Sequence, residues 1–531
     1  MKRQKNNGKV VFKEYNMGQS FLFPPSLEDL IPDRHLVRIV NLAIERMDLR
    51  SLIRQYQGGG TSSYHPKMLL KILVYGYTQK IYSSRQIAKN LRENIHFMWL
   101  SGQNRPDFRT LNRFRASRLK NTIYDVFQSV VQILIEEGYI KLENYFLDGT
   151  TIEANANRYS YVWKKSTEKH KAKVQFKIKE LIDHIERANE AENDKYQDKD
   201  LEEVEGNEIS SDKMDKLVKK LNQKLKEKTE DTSSDTTDNE KDPTVKNVNK
   251  IIKQLEKEYI PRLKKYEEQE KKLAGKNSCS KTDTDAVFMR TKDDHFKSGQ
   301  LKPGYNIQTG TENQFIVGYS VHQKPSDTAH LIQHLEKIEQ ELPILPKNLV
   351  ADAGYGSEEN YQYITKKTLG NFVKYNYFYR EQHNFKKDRF LVDKFKYDKN
   401  KDEYICPAGK SLLFQSTERK KSVNGYISSN RVYQCQNCFE CNFKTECLHS
   451  DQNRTIRINL SLNQFKEKVK ENLLSDLGKK LRKLRSIEVE SVFGQIKQNM
   501  NFRRFNLRGL QKVAIEWGLI SIAHNLKKIP A

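Results

Sequence analysis

The sequence predicts an α/β protein: a mixed five-stranded sheet with helices follows a helical N-terminal domain and is interrupted by two long insertions. Three observations predict it. Between about residues 30 and 140 apolar residues recur at helical spacing, and from 143 they change to short strand-like runs bounded by turn residues. Two of those runs end on an acidic residue followed by a glycine-bearing turn, Asp148-Gly149 and Asp352-Ala353-Gly354.

In the N-terminal domain (1–140) a helix is predicted from Ser63 or Tyr64 to Tyr77. Pro66 stands in its first turn, with Met68, Leu69, Ile72, Leu73 and Tyr75 behind it. The turn Lys80–Ser83 leads to a second amphipathic helix, Ser84–Arg92, whose start a serine is expected to cap. Arg85, Lys89 and Arg92 fall on its exposed side. Two helices and a short turn suit a helix-turn-helix contact with DNA, Arg85 being the candidate, and a small bundle with charged faces fits the same pattern.

The sheet is read next. Strands are predicted at Tyr145–Asp148, Tyr305–Thr309 and Phe315–Val321, the last two joined by a hairpin through Gly310–Asn313. A helix N-capped by Asp327 runs to Glu341, then come a strand Asn348–Asp352, a helix over 358–367 and a strand Asn371–Tyr375. Strand, hairpin, helix, strand, helix, strand, with acids ending the first and fourth strands, is the ribonuclease H-like order. That core takes residues 141–162, 283–379 and 481–531.

Residues 163–282 are charged throughout and carry helical stripes, Leu217/Leu221/Leu225 and Ile251/Leu255/Tyr259/Leu263, which predict a long antiparallel helical arm. The polar run 231–240 between them reads as loop or disorder, and a solvated spacer is the alternative for the whole segment. Residues 380–480 form a second insertion, rich in aromatic and basic residues. It holds five of the six cysteines: Cys406 in a Cys-Pro-x-Gly knuckle, then Cys435, Cys438, Cys441 and Cys447. So few cysteines, so clustered, point to metal rather than disulfides, and tetrahedral Zn²⁺ needs four thiols of the five. Reduced free cysteines are the other reading. Lys410, Arg419, Lys420, Lys421, Arg431 and Lys444 suggest that this insertion also touches DNA.

Glu490 lies in a helical pattern whose core face is Val489, Val492, Phe493 and Ile496. Lys497, seven residues on, shares the flank of Glu490. At helical spacing Glu488 stands about 200° away and is expected to face water or an arginine. Two carboxylates fixed by strands and a third on a helix suit a pair of hard divalent cations, Mg²⁺ or Mn²⁺, and hence phosphoryl transfer on a polynucleotide. Downstream, Arg503, Arg504 and Arg508 alternate with Phe502 and Phe505, a combination for binding phosphates and stacking exposed bases. The last helix reads as core.

The charge agrees with such a partner: 94 Lys and Arg against 69 Asp and Glu give a net charge of +25. Neither a secretion signal nor a run of membrane-spanning length is present in the sequence, so a soluble, cytoplasmic protein with no membrane partner is expected.

With these residues the chain resembles the DDE transposases of bacterial insertion sequences, in the group with a helical N-terminal domain and a cysteine-bearing insertion before the glutamate. The resemblance covers nearly all of 20–528. It is carried by Tyr64-His-Pro-Lys-Met-Leu-Leu-Lys71, Ser83-Ser-Arg-Gln-Ile87, Arg105–Arg115, Leu147–Ala156, Ala351–Gly356 and Val489–Lys497 running to Arg504–Gly509. It implies Asp148, Asp352 and Glu490 as metal ligands and Lys497 as the lysine of the glutamate helix. Relatives carry a Tyr and an Arg shortly before that glutamate, whereas here Ser486 and Arg485 occupy the region. The resemblance favours Cys406, Cys438, Cys441 and Cys447 for structural zinc and leaves Cys435 over. It implies a homodimer on double-stranded DNA that binds terminal inverted repeats, cleaves at the element ends and joins the 3′ hydroxyls to target DNA. A nuclease that cuts without joining and a catalytically silent DNA-binding descendant share these residues.

Overall fold

The computed structural model describes residues 17, 25–56, 62–196, 209–230, 243–290, 300–342, 344–383, 390–448, 450 and 452–529. They form two compact units, 1–133 with 519–531, and 134–518.

The first unit is helical. Its helix Pro66–Thr78 starts on the proline, and the His65 ring accepts the Lys67 N–H. Leu69, Leu70, Leu73 and Val74 are buried, as are Ile87 and Leu91 of the helix Ser84–Glu93. Gly76 permits the tight turn between them, because a Cβ there would stand 3.1 Å from Ile87 Cδ1 and 3.2 Å from the Ile81 carbonyl oxygen. Arg115, buried, closes the turn by donating to the Tyr82 carbonyl at 2.7 Å. The expected serine cap is not formed. Ser84 is the first helical residue and points inward, and Ser83 makes no side-chain capping bond.

The second unit is built on a mixed sheet of β1 (Asn144–Glu153), β2 (Val287–Arg290), β3 (Leu301–Glu312), β4 (Phe315–His322), β5 (Asn348–Ala351) and β6 (Gly370–Val373). The order is β2-β3-β1-β5-β6, with β4 also paired to β3. Strand β1 is antiparallel to β3 and parallel to β5, and β5 is parallel to β6. Six strands replace the expected five. The addition, β2, is a run of four residues too short to stand out among charged neighbours.

Strand β1 also runs longer than predicted, so Asp148 lies inside it rather than at its end. Residues 149–153, polar or small apart from the buried Ile152, pair with β3 through Glu153↔Gly304. What does end near Asp148 is the parallel pairing with β5, whose last partners are Leu147 and Ala351.

The β3–β4 turn is Asn313-Gln314, both at positive φ, and not Gly310–Asn313. Gly310 lies within β3 because the Tyr145 ring crosses it: a Cβ there would fall 1.8 Å from that ring. Glu312, buried at the end of β3, accepts the backbone N–H groups of Lys141, Leu142, Glu143 and Asn144 at 2.6–3.1 Å, fixing the entry into β1. Glu312→Gln turns part of that acceptor into a donor facing N–H groups. A loss of about 2–4 kcal/mol is expected, read as a lower denaturant midpoint at unchanged slope.

Between 163 and 282 lie the helices Lys164–Tyr196, Ser211–Glu230, Pro243–Gln254 and Ile260–Leu273, the last two joined through a π turn, Leu255–Tyr259. They share a core of their own, including Ile178, Met214, Val218, Leu221, Leu255 and Leu263. Both predicted stripes contribute to it, while the Leu225 side chain and the polar run 231–240 lie outside the described residues.

A second, antiparallel sheet consists of β7 (Lys396–Asp398), β8 (Glu403–Ile405), β9 (Ser411–Lys421), β10 (Ile427–Cys435) and β11 (Thr455–Ile458), in the order β11-β10-β9-β8-β7. The helix Leu460–Leu474 then returns to the first sheet, where Asn472 donates to the Asn371 carbonyl of β6. Helix Asp476–Arg485 follows, continued by the π turn Ser486–Glu490, the α turn Ser491–Gly494 and a second π turn, Gln495–Asn499. Helix Leu510–Lys528 ends the described chain. Among the described residues no helix is long and apolar enough to cross a membrane.

Candidate active site

The register Leu147↔Ala351 places the next residues of two parallel strands, Asp148 and Asp352, beside one another. Each is oriented by its own backbone. Asp148 Oδ1 accepts the Gly149 N–H at 2.9 Å, and Asp352 Oδ1 accepts the Gly354 N–H at 2.8 Å. Their second oxygens meet a common cation, with Arg485 Nη2 at 3.0 Å from Asp148 Oδ2 and 3.5 Å from Asp352 Oδ2. Arg485 Nη1 stands 4.0 Å from Glu490 Oε1. The three predicted carboxylates therefore surround one guanidinium, itself only 10% exposed, whereas Glu490 is 64% exposed.

Arg485 is the residue that sequence reasoning left without a role. Five positions before Glu490, it would lie about 140° from it on a regular α-helix. The π turn Ser486–Glu490 closes i→i+5 bonds and brings residues five apart onto one face. The same turn takes Glu488, expected to face water or an arginine, away from water. That side chain is buried, and its Oε2 accepts the Gln314 N–H at 2.6 Å in the β3–β4 hairpin. It fastens the helix to the sheet and does not face water.

Beneath the acids lies a polar network. Asp327 is not a helix cap: it begins a short 3-10 turn, and its Oδ1 accepts from Asn306 Nδ2 and Gln308 Nε2, both at 2.8 Å. Gly149 makes room for it, since a Cβ there would stand 2.4 Å from Asp327 Oδ1. Gln308 Oε1 in turn accepts from the Tyr355 hydroxyl. Burial holds that phenol well above its ordinary pKa, and the Asp327, Asp148 and Asp352 charges add to the effect, so it remains a donor. The loop bearing Asp352 is thus tied to the strand beside Asp148.

The basic residues divide. Lys497 lies in the second π turn and is half-buried. Arg503 is exposed and donates to the Lys497 carbonyl and to Gln498. Arg504 donates to the carbonyls of Ala154 and Ala156, and Arg508 to that of Asn155, so both hold their loop against the continuation of β1. The expectation that the neighbouring phenylalanines stack on bases is contradicted. Phe502 and Phe505 are buried and pack edge-on with each other at 5.5 Å. In the other unit, Arg85 is exposed, with its guanidinium 4.8 Å from the Phe108 ring centroid.

Cys406, Cys435, Cys438, Cys441 and Cys447 line one small cavity. Cys406 opens a knuckle in which its carbonyl accepts from Gly409 (φ +77). Cys438 Sγ accepts the Arg454 N–H at 3.3 Å. Cys435 differs from the other four. It is buried in the core of the second sheet, and burial together with the Cys438 contact pushes its thiol up to about 11. Burial raises Cys447 as well. Among the described residues no three His, Cys, Asp or Glu side chains already form a metal-binding group. At the carboxylates a guanidinium stands between them.

The family described as Transposase DDE domain matches residues 405–530, and that described as Transposase domain (DUF772) matches residues 25–117. No curated protein matches the chain.

Proposed function

The chain belongs to the DDE-type transposases of insertion sequences, and from that premise we propose that it binds the inverted repeats at the ends of its element, cleaves the phosphodiester there and joins the freed 3′ hydroxyl to target DNA. The observation that carries this reading is the meeting of Asp148, Asp352 and Glu490 around one site. The strand order β4-β3-β1-β5-β6, with Asp148 in β1 and Asp352 directly after β5, supports a ribonuclease H-like core.

The donor set fits hard divalent cations: three carboxylates, oxygen only, already gathered about a positive group. A pair of Mg²⁺ or Mn²⁺ ions, when bound there, activates the attacking oxygen and stabilises the leaving one. The chain's part is to aim the ligands. Asp148 and Asp352 are held by strands and by their own backbone N–H groups, and the exposed Glu490 completes the set from the helix. Arg485 offsets part of the negative charge. Lys497 and Arg503 take the DNA backbone near the site, Arg504 and Arg508 brace the loop that presents it, and Arg85 contacts end DNA from the N-terminal unit. Two chains act together, one per end.

Cys406, Cys438, Cys441 and Cys447 fit structural zinc in donor chemistry, with the Arg454 N–H supporting the Cys438 sulfur. Purified protein is expected to contain about one zinc per chain. Cys438→Ser should lose it and melt several degrees lower, whereas Cys435→Ser should keep it. Elemental analysis with thermal unfolding checks this.

Joining is the step that sets a transposase apart. Given pre-cleaved end DNA, Mg²⁺ and a plasmid, the protein is expected to produce joined strands. Cutting of uncut ends with no joining of pre-cleaved ones would leave a nuclease and end the transposase reading.

A further inference from the structure

Strands β9 and β10 form a long hairpin rooted in cysteine-bearing turns: the Cys406 knuckle precedes β9, and Cys435 ends β10. Eleven residues of β9 reach about 30 Å. Between Leu412 and Val432 no residue is buried, so the ribbon has no apolar core to set its direction. Its tip is fixed by polar contacts instead. Within the turn Ser422–Tyr426, Ser422 Oγ accepts the N–H groups of Asn424 and Tyr426 at 3.2 and 3.1 Å, and Gly425 takes φ +91. The same hydroxyl donates to Glu359 Oε2 at 3.0 Å, and the Tyr426 hydroxyl donates to Glu358. Asn424 Nδ2 donates to the Ala329 carbonyl at 3.2 Å.

These acceptors flank the loop that carries Asp352. Ala329 ends the 3-10 turn that Asp327 begins, and Glu358 and Glu359 open the helix Glu358–Lys366 into which the loop runs. Turn and loop are themselves joined. The Thr328 hydroxyl donates to the carbonyl of Gly354, whose N–H orients Asp352. The fully buried Asn360 donates to the carbonyls of Thr328 and Tyr355 at 3.0 and 2.8 Å. Asp148 lies inside a paired strand, whereas Asp352 comes after the last residue of β5, so the direction of its carboxylate depends on this loop.

We propose that Ser422 and Asn424 are positioning residues for strand cleavage, the tip of a strut by which the cysteine-bearing insertion holds the Asp352 loop in place beside Asp148. Neither side chain touches DNA or metal in this role. They act through Ala329 and Glu359, on the two sides of the loop, and so through Gly354 on the carboxylate itself. A ligand moved by a fraction of an ångström holds a divalent cation less well and aims it less well. This proposal rests on the transposase reading of the three acids.

The test compares the full chain as wild type, as Ser422→Ala combined with Asn424→Ala, and as Ser422→Thr, on uncut end DNA. Both side chains are exposed, so the alanine pair is expected to melt as wild type does. It should keep the wild-type KM for end DNA, lose about tenfold in kcat and need about tenfold more Mn²⁺ for half-maximal cleavage. Ser422→Thr, which retains the hydroxyl, should match wild type in all three. Hydrogen exchange of the backbone amides at 352–357 should quicken in the alanine pair and not in Ser422→Thr. An alanine pair with wild-type kcat and Mn²⁺ requirement, or one that loses kcat with neither the Mn²⁺ requirement nor the exchange changed, overturns the strut while leaving the transposase reading intact. Wild type that cuts no end DNA overturns that reading, and the strut with it.

Discussion

Asp148→Asn and Asp352→Asn are each expected to slow strand cleavage by about a thousandfold or more while end DNA is still bound. Asparagine preserves shape, and its oxygen can still accept the Gly149 or Gly354 N–H that orients the native side chain. What it removes is the charge directed at the site. Several kcal/mol of transition-state stabilisation depend on cations held by such charges, and about 1.4 kcal/mol is worth tenfold in rate. Binding to DNA ends draws on groups elsewhere, so a mobility shift should be unchanged. Near-normal cleavage by either variant, measured on the same end DNA, would remove these aspartates from the chemistry.

The second large effect concerns Arg485. In Arg485→Ala, three carboxylates lose the guanidinium they share, and Asp148 is mostly shielded from water. Removing one partner of a buried ion pair costs about 3–5 kcal/mol. Asp352 and Glu490 are more open and better screened, so a loss of about 2 kcal/mol is the reasonable expectation. That loss should appear in EDTA and shrink when Mn²⁺ is added, because a divalent cation supplies the missing charge. The melting temperature of the variant should therefore rise more with Mn²⁺ than that of wild type, with Arg485→Lys in between. Equal Mn²⁺ responses in wild type and variant would show that the guanidinium and the cation do not compete for the same carboxylates.

Much of this site was legible in the sequence for a definite reason. The apolar runs before Asp148 and Asp352 belong to two strands, and the parallel register of β1 with β5 sets the two acids side by side. Where the reading failed, a local rule gave way to tertiary structure. The 3.6-residue period assigned Glu488 to water or an arginine and gave Arg485 no place, because two π turns are invisible to that period. Gly310 looked like a turn and is a close approach to Tyr145. Phe502 and Phe505 looked available among arginines, yet the loop they belong to is folded back with both rings in the core.

The central claim is that Asp148, Asp352 and Glu490 hold divalent cations jointly. Counting bound Mn²⁺ by electron paramagnetic resonance, on wild type and on a folded variant combining Asp148→Asn, Asp352→Asn and Glu490→Gln, tests it most directly. About two ions per wild-type chain and none in the variant at the same concentration is the predicted result. Equal Mn²⁺ binding by the two proteins would contradict it.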